Sequence, residues 1–183
     1  TTVTIYPTLI SSQIEYILKN SNSKLVFVEN QEQLNKIKDC LNLSDDLRYI
    51  VVMDDSCEDE TDCIINFITL LDKGKEFSQN YEFSFNDMVN SIDEKDVLTI
   101  IYTSGTTGVP KGVVLTHKNL LSNIEATLKV AEFNLNETFL SFLPLSHVLE
   151  RMGGHYTAFS IGATIYYAEN METVGVNMNE ISP

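Results

Sequence analysis

The residues best suited to chemistry lie in one segment, residues 102–112, which reads YTSGTTGVPKG. Its hydroxyl residues are Thr103, Ser104, Thr106 and Thr107, its glycines are Gly105, Gly108 and Gly112, and its lysine is Lys111. Glycine lets a backbone approach a ligand closely, and successive amide N–H groups in a turn form an anion-binding concavity. Hydroxyl groups add donors for phosphate oxygens and oxygen ligands for Mg²⁺, and a lysine adds a point positive charge. The segment therefore predicts a cradle for a triphosphate.

The spacing within this segment does not match the two common phosphate-binding motifs. A Walker A loop has glycine directly before its lysine and serine or threonine after it, whereas Pro110 precedes and Gly112 follows Lys111. The dinucleotide fingerprint begins with G-x-G, which Gly105 and Gly108 do not form. A shorter stretch such as S-G-T-T-G would also be typical of a surface turn rich in Ser, Thr and Gly, which is the alternative to a phosphate site. The full segment, between two apolar strand patterns, favours a phosphate site built from backbone amides rather than from a helix N-terminus.

A second candidate segment, residues 142–152, reads FLPLSHVLERM. Pro144 ends a predicted strand, and His147 lies in the turn that follows it. Ligands of α/β sheets bind beyond the carboxyl ends of the strands, so His147 either orients a carboxylate or caps a helix, and the residues alone do not separate these roles. Glu150 and Arg151 are adjacent charges, for which a surface ion pair is the default interpretation.

The elements that must position these segments follow from the apolar pattern, which alternates between strands and helices. Strands separated by helical patterns of about ten residues indicate βαβ units, so we expect an α/β layered fold with a mainly parallel sheet flanked by helices. The predicted strands are 24–28, 49–53, 97–102, 113–115, 138–143 and 163–168, and the predicted helices are one around 14–18, then 31–41, 63–71, one from Thr116 to about Ala131, and 149–159.

Helix caps and buried faces are also predicted from the pattern. Ser11 or Ser12 is expected to cap the first helix, and Thr116 the helix after the phosphate segment. The residues expected on buried helix faces are Ile14, Ile17, Leu18, Leu34, Ile37, Leu41, Leu120, Leu121, Ile124 and Leu128. Residues 54–94 begin with an acidic run and are interpreted as a surface excursion, in which Lys73-Gly74-Lys75 ends the 63–71 helix.

Composition limits the class of partner. The formal net charge is -14 and only 12 of 183 residues are Lys or Arg, so the chain lacks the clustered positive charge of a nucleic-acid surface. No apolar run approaches the roughly 18 residues of a membrane-spanning helix, and no basic amphipathic helix is evident. We expect a cytoplasmic protein, whose peripheral contact with membranes through other segments stays open.

The segment at 102–112 resembles the signature phosphate loop of the adenylate-forming superfamily, Y-T-S-G-T-T-G-x-P-K-G. The resemblance implies that this loop binds ATP during carboxylate activation, with Thr103 to Gly108 embracing the β- and γ-phosphates. It also implies that Thr106 contacts Mg²⁺ and that Lys111 is a mobile phosphate partner. Within the superfamily, L-P-L-S-H-V-L-E-R at 143–151 is similar to long-chain fatty acyl-CoA synthetases. That likeness implies that His147 lies near the acyl carboxylate and leaves Glu150 and Arg151 without an assigned role.

The resemblance implies a ligase that forms acyl-adenylate from a fatty acid and ATP and then transfers the acyl group to CoA. The family's Y-G-x-T-E segment and late catalytic lysine are not in this sequence, so we expect residues 1–183 to be a portion of the AMP-binding N-terminal domain, inactive alone. In this interpretation residues 1–96 hold βα units with the excursion at 54–94, and 97–183 hold the phosphate loop and acyl-site region. Two alternatives stay open: a ligase for aryl, amino or medium-chain acids, and a non-catalytic nucleotide-binding module.

Overall fold

A computed structural model describes residues 1–38, 40, 46–56, 61–82, 84–103, 109–133 and 136–182. The chain divides into two compact units, one formed by residues 1–6 with 93–183 and the other by residues 7–92. Four of the five strand pairs in the described residues are parallel and only the β-strand pair around the 104–110 segment is antiparallel, which confirms the predicted α/β class with a mainly parallel sheet.

The strands are β1 (Thr2–Thr4), β2 (Leu25–Val28), β3 (Tyr49–Val52), β4 (Ile64–Asn66), β5 (Val97–Thr103), β6 (Lys111–Thr116), β7 (Thr138–Ser141) and β8 (Thr164–Tyr167). The α-helices are α1 (Ser11–Asn20), α2 (Gln31–Lys38), α3 (Phe67–Asn80), α4 (Phe85–Asn90), α5 (His117–Val130), α6 (Thr157–Ser160) and α7 (Val174–Ile181), and a π-helix spans Glu150–Tyr156.

The unit of residues 7–92 is a parallel sheet in the order β2-β3-β4, with α2 and α3 packed against it and α1 packed against α2. Its core combines the apolar faces of α1 and α2 with β3, because the apolar spacing of each helix places those side chains on one side. The predicted βαβ arrangement is confirmed for β2, α2 and β3. The fully buried residues described in this unit are Ile14, Ile17, Leu18, Leu34, Cys40, Ile50, Val51 and Val52. Leu41 lies outside the described residues.

One prediction for this unit is wrong in detail. Ile10, not Ser11 or Ser12, is the N-cap residue of α1, and its N–H donates to Gln13 Oε1 at 3.3 Å. The hydrogen bond at the N-terminus of α1 is thus made by the side chain of Gln13 and not by the serine hydroxyl that the sequence predicts. Strand β2 is buried on one face only, because Leu25 and Phe27 are exposed while Val26 and Val28 are buried.

The region predicted as a surface excursion contains more regular structure than its acidic start suggests. Residues at the start of the predicted 63–71 helix form β4 instead, because Ile64 and Ile65 pair with β3. Asn66 then caps α3 by accepting from Thr69 N at 2.8 Å. Helix α3 continues through Gly74 to Asn80, so the predicted stop near Gly74 is wrong. Neither α3 nor α4 has a buried residue, in agreement with the expected surface position.

The unit of residues 1–6 and 93–183 carries both candidate segments. Its sheet has the order β1-β5-β6, and β7 pairs with β8 in a separate parallel ladder. Thr116 caps α5, as predicted, by accepting from Asn119 N at 3.2 Å. The buried face of α5 is narrower than predicted: Leu120 and Ile124 are buried, whereas Leu121 and Leu128 are 52% and 38% exposed.

The helix predicted at 149–159 has a different form in the structure. Residues Glu150–Tyr156 form a π-helix, closed by a bond from Thr157 N to Met152 O, and α6 follows it. Thr157 Oγ1 also donates to Met152 O at 2.9 Å. Apolar periodicity does not distinguish this wider turn from an α-helix. No helix in the described parts of the chain is both long enough and apolar enough to cross a membrane.

Candidate functional site

The predicted phosphate loop connects two paired strands. Strand β5 ends at Thr103, β6 begins at Lys111, and these two residues are partners in the antiparallel ladder. The ladder forms because β5 is a β-branched, largely apolar run that buries Ile101 and Tyr102. Both ends of the loop are therefore fixed side by side, and the exposed side chains of Thr103 and Lys111 stand at its base.

Residues 104–108 lie outside the described residues. The structure therefore carries no geometry for five of the predicted site residues, namely Ser104, Gly105, Thr106, Thr107 and Gly108. The predicted Mg²⁺ contact at Thr106 is among them. In the described remainder of the chain, no cluster of three or more His, Cys, Asp and Glu side chains is arranged to hold a metal ion.

Gly112, next to Lys111, has a packing role. A Cβ at this position would lie 2.9 Å from Ile100 Cγ2 and 3.1 Å from Tyr102 Cζ. Both neighbours belong to β5, and Tyr102 is the register partner of Gly112. Glycine at 112 makes room for the Tyr102 ring, which in turn packs the strand that leads into the phosphate loop.

His147 lies at the start of the turn that leads to the π-helix, with an exposed side chain. Its N–H donates to Pro144 O at 2.8 Å, and its carbonyl accepts from Arg151 N at 3.0 Å. Its ring atom Nδ1 accepts from Leu149 N at 3.3 Å. An imidazole nitrogen that accepts carries no proton, so the neutral ring has its N–H at Nε2. The side chain thus caps the helix with one nitrogen and leaves Nε2–H as a donor.

The His147 segment is attached to β1, which β5 separates from β6. Thr4 Oγ1 donates to Ser146 O at 3.4 Å, and Arg151 Nη2 donates to Thr2 Oγ1 at 2.9 Å. Thr4 is the register partner of Ile101, two residues before the end of β5 at Thr103. Because β1 and β5 are parallel, the Ser146 contact lies toward the carboxyl end of β5, where the phosphate loop begins.

Glu150 and Arg151 do not form the surface ion pair that was the default expectation. Glu150 is only 6% exposed, and its Oε1 has no hydrogen-bond partner among the described residues. Its carboxylate lies against the π-helix backbone, where a Cβ on Gly154 would be 2.3 Å from Oε1. Arg151 points elsewhere, to Thr2 and to the Tyr156 ring, whose centroid is 5.7 Å from the guanidinium carbon.

The strands predicted from the sequence do not include β1, although β1 is the strand that joins the two candidate segments. Residues 1–5 are all β-branched, which is a strand signal. Its pairing with β5 links residues 97 positions apart, as in the bond from Thr99 Oγ1 to Thr2 O at 3.1 Å. Pairing over that separation has no local signal in the sequence.

Solved structures of acid ligases share this fold. Coronafacic acid ligase of Pectobacterium brasiliense aligns with 99% of this chain and 33% of its own length, at a TM-score of 0.74 and 19% identity. The anthranilate CoA ligase AuaEII, solved in complex with anthranoyl-AMP, aligns with 99% of this chain and 33% of its own length, at a TM-score of 0.71 and 21% identity. At these identities the likeness establishes the fold alone, that of adenylate-forming ligases.

The chain belongs to the AMP-binding enzyme family, whose model matches residues 1–179. Long chain acyl-CoA synthetase 6, a peroxisomal protein of Arabidopsis thaliana, is 31% identical over 93% of this chain and 24% of its own length. The long-chain-fatty-acid–CoA ligase ACSBG2 of Xenopus laevis is 28% identical over 99% of this chain and 25% of its own length. The resemblance to adenylate-forming enzymes is confirmed, and the chain spans about a quarter of the length of these curated relatives.

Proposed function

We propose that the complete gene product is a long-chain fatty acid–CoA ligase, which activates a fatty acid with ATP and then transfers the acyl group to CoA. The observation that carries the proposal is the β5–β6 ladder, which holds Thr103 opposite Lys111 at the base of the signature phosphate loop. The family match and the long-chain acyl-CoA synthetases among the relatives support the same reaction.

The first step forms an acyl-adenylate. A carboxylate oxygen of the fatty acid attacks the α-phosphorus of ATP, a new O–P bond forms, and pyrophosphate leaves. Charge develops on the departing phosphates, so a fixed positive group and oriented donors stabilise the transition state. Lys111 supplies that charge beside the loop and Thr103 supplies a hydroxyl donor, and residues 104–108 complete the cradle in this proposal.

The second step transfers the acyl group to CoA. The thiol of CoA loses its proton to solvent, its sulfur attacks the acyl carbon, and AMP leaves with the electrons of the broken C–O bond. Mg²⁺, when bound, screens the phosphate charges in the first step, and Thr106 is the residue that we propose as its contact. The residues that receive CoA are not assigned to this part of the chain.

His147 is proposed to orient the carboxylate of the fatty acid. With Nδ1 accepting from Leu149 N, the Nε2–H group is the donor available to a carboxylate oxygen. A hydrogen bond from this N–H group occupies one lone pair of the carboxylate and leaves the others free for the attack. The helix-capping role and the carboxylate role left open by the sequence are therefore compatible, because each uses a different ring nitrogen.

The cellular location and the absence of nucleic-acid partners stay predictions. We expect a cytoplasmic protein, and the relatives include proteins whose names place them in peroxisomes. Peripheral contact with a membrane also stays open.

Acid-dependent exchange of labelled pyrophosphate into ATP tests the proposed function in the complete gene product. Palmitate, a medium-chain acid, benzoate and an amino acid are compared, with and without Mg²⁺. We expect exchange with palmitate, dependence on Mg²⁺, and formation of palmitoyl-CoA when CoA is added. Preference for benzoate or the amino acid would replace the fatty-acid ligase by another acid ligase, and no exchange with any acid would favour the nucleotide-binding module.

Lys111→Met measures the contribution of the positive charge at the loop. A hydrogen bond to a charged group contributes about 1.5–3 kcal/mol, or roughly 10- to 100-fold, and we expect a loss of that size in kcat/KM for ATP. Lys129→Met is the matched control, since Lys129 is an exposed lysine near the end of α5. An equal kcat/KM for ATP in Lys111→Met and Lys129→Met would show that Lys111 does not contribute to the ATP site.

A further inference from the structure

We propose that Arg151 is a positioning residue, which holds His147 at a set place relative to the strand that carries the phosphate loop. The inference rests on the proposed role of His147. It assigns a role to Arg151 that neither the sequence pattern nor the family comparison supplies. The juxtaposition that supports it is a continuous series of hydrogen bonds from His147 through Arg151 and Thr2 to β5.

Arg151 contacts the His147 segment and β1 at the same time. Its backbone N–H donates to His147 O at 3.0 Å, one helical turn earlier in the chain. Its side-chain Nη2 donates to Thr2 Oγ1 at 2.9 Å, across 149 residues of sequence. The guanidinium also lies 5.7 Å from the centroid of the Tyr156 ring, within the range of a cation–π contact. One residue therefore joins the first turn of the helix to the sheet.

Thr2 passes this connection to β5. Thr2 is the register partner of Thr99 in the parallel ladder. Thr99 Oγ1 donates to Thr2 O at 3.1 Å, and Thr2 Oγ1 lies 3.4 Å from Leu98 O. Thr99 is 1% exposed, so its hydroxyl is held inside the sheet rather than exchanging with water. The Thr2 hydroxyl thus accepts from Arg151 and faces a carbonyl of β5.

A second contact fixes the other side of His147. Thr4 Oγ1 donates to the carbonyl of Ser146, the residue before His147, and Ser146 is buried. With Thr4 on one side of His147 and Thr2 on the other, β1 is attached to the segment at two points. Since β1 is paired with β5, movement of His147 along the strands requires that both attachments break.

This arrangement matters for catalysis because reacting groups tolerate little displacement. A misplacement of about 1 Å can cost on the order of 100-fold in rate. In the proposed reaction the carboxylate at His147 must meet the phosphate held by the loop after β5. The arginine suits this task because its planar donors have fixed directions, which a lysine lacks.

The test measures palmitate-dependent adenylation in the complete gene product for Arg151→Met, Thr2→Val and the double variant, each with His147 intact and with His147→Ala. With His147 intact we expect each single variant to lower kcat/KM for palmitate on the order of tenfold or more. The double variant should lose no more than the worse single variant, because both changes break one connection. In the His147→Ala background the same changes should alter kcat/KM less than twofold.

Matched controls are Arg48→Met and Thr164→Val, which change an exposed arginine in the other unit and an exposed threonine on β8. Thermal unfolding of every variant identifies loss of fold. If Arg151→Met does not fold, Thr2→Val still tests the connection, since it removes only a hydroxyl group from the same hydrogen bond.

Three outcomes overturn the inference: an undiminished kcat/KM in Thr2→Val, an Arg151→Met loss of the same factor with and without His147, or losses that multiply in the double variant. Failure of the proposed function has a different signature, because the unsubstituted protein would then show no palmitate-dependent exchange. In that case the Arg151–Thr2 connection is tested by the same double-mutant cycle on thermal stability, where additive shifts would overturn it.

Discussion

Alanine at Gly154, compared with alanine at Gly153, tests the placement of the buried Glu150 carboxylate. A Cβ at 154 would lie 2.3 Å from Glu150 Oε1 and 2.8 Å from Cδ, whereas a Cβ at 153 would meet no atom within 4 Å. The two positions are neighbours in the same π-helix, so the local helical environment is shared. The pair therefore separates the effect of helix propensity from the effect of the clash.

The expected magnitudes follow from two opposing effects. Alanine is favoured over glycine in a helix interior by about 0.8–1.0 kcal/mol, so Gly153→Ala should increase the free energy of unfolding. Gly154→Ala has the same gain, but the added methyl group must displace a side chain that is only 6% exposed, and overpacking costs about 1–3 kcal/mol. We expect Gly154→Ala to be less stable than Gly153→Ala by about that amount.

Thermal unfolding of the complete gene product, repeated in two Glu150 backgrounds, is the assay. Glu150→Ala removes the clashing atoms, so Gly154→Ala should become as favourable as Gly153→Ala. Glu150→Gln keeps a side chain of the same size, so the penalty should remain. Equal midpoints for Gly153→Ala and Gly154→Ala in the unsubstituted protein, or a penalty that survives Glu150→Ala, would refute the placement of Glu150 against the helix backbone.

Three further predictions concern the elements around the site. Thr116→Ala removes the cap that accepts from Asn119 N and should cost about 1 kcal/mol in the free energy of unfolding, whereas Thr116→Asn, which can still cap, should recover most of it. Gly112→Ala should lower the thermal midpoint, because its Cβ would lie 2.9 Å from a methyl group of β5; an unchanged midpoint would contradict the packing role. The hydrogen bond from Lys118 Nζ to Glu94 Oε1, and then the charge of Glu94, raise the pKa of Lys118 above 10.5. The stabilisation from the Lys118–Glu94 ion pair should therefore be fully present below pH 10.5 and be lost as the pH rises through the raised pKa of Lys118. Glu94→Gln should lower the pKa of Lys118 measured by NMR, and an unchanged pKa would contradict this assignment.

Much of the architecture could be predicted because its signals are local. The run at 97–102 is β-branched and apolar, and it forms β5; the threonine at 116 caps α5 as its type and position indicate. The strand patterns on either side of the phosphate segment likewise form β5 and β6. Such features depend on neighbouring residues, so reading them requires no knowledge of the tertiary fold.

Errors arose where distant residues decide the outcome. Residues 64–66 form a strand because β3 is available to pair with them, although their apolar pattern also suits a helix. Leu121 and Leu128 have the spacing of a buried face, yet the neighbours of α5 cover only Leu120 and Ile124. Burial depends on what packs against an element, and that information is spread over the whole chain.

The candidate site divides in the same way. The chemistry of the site follows from residue types and spacing alone, because hydroxyl, glycine, lysine and imidazole groups at these spacings suit a phosphate and a carboxylate whatever surrounds them. The positions of these groups depend on the folded chain, which places Thr103 opposite Lys111 and attaches His147 through Arg151 to Thr2. The reason is that hydrogen bonds between residues up to 149 positions apart form only after the strands have paired, so the geometry of the site is a property of the folded chain.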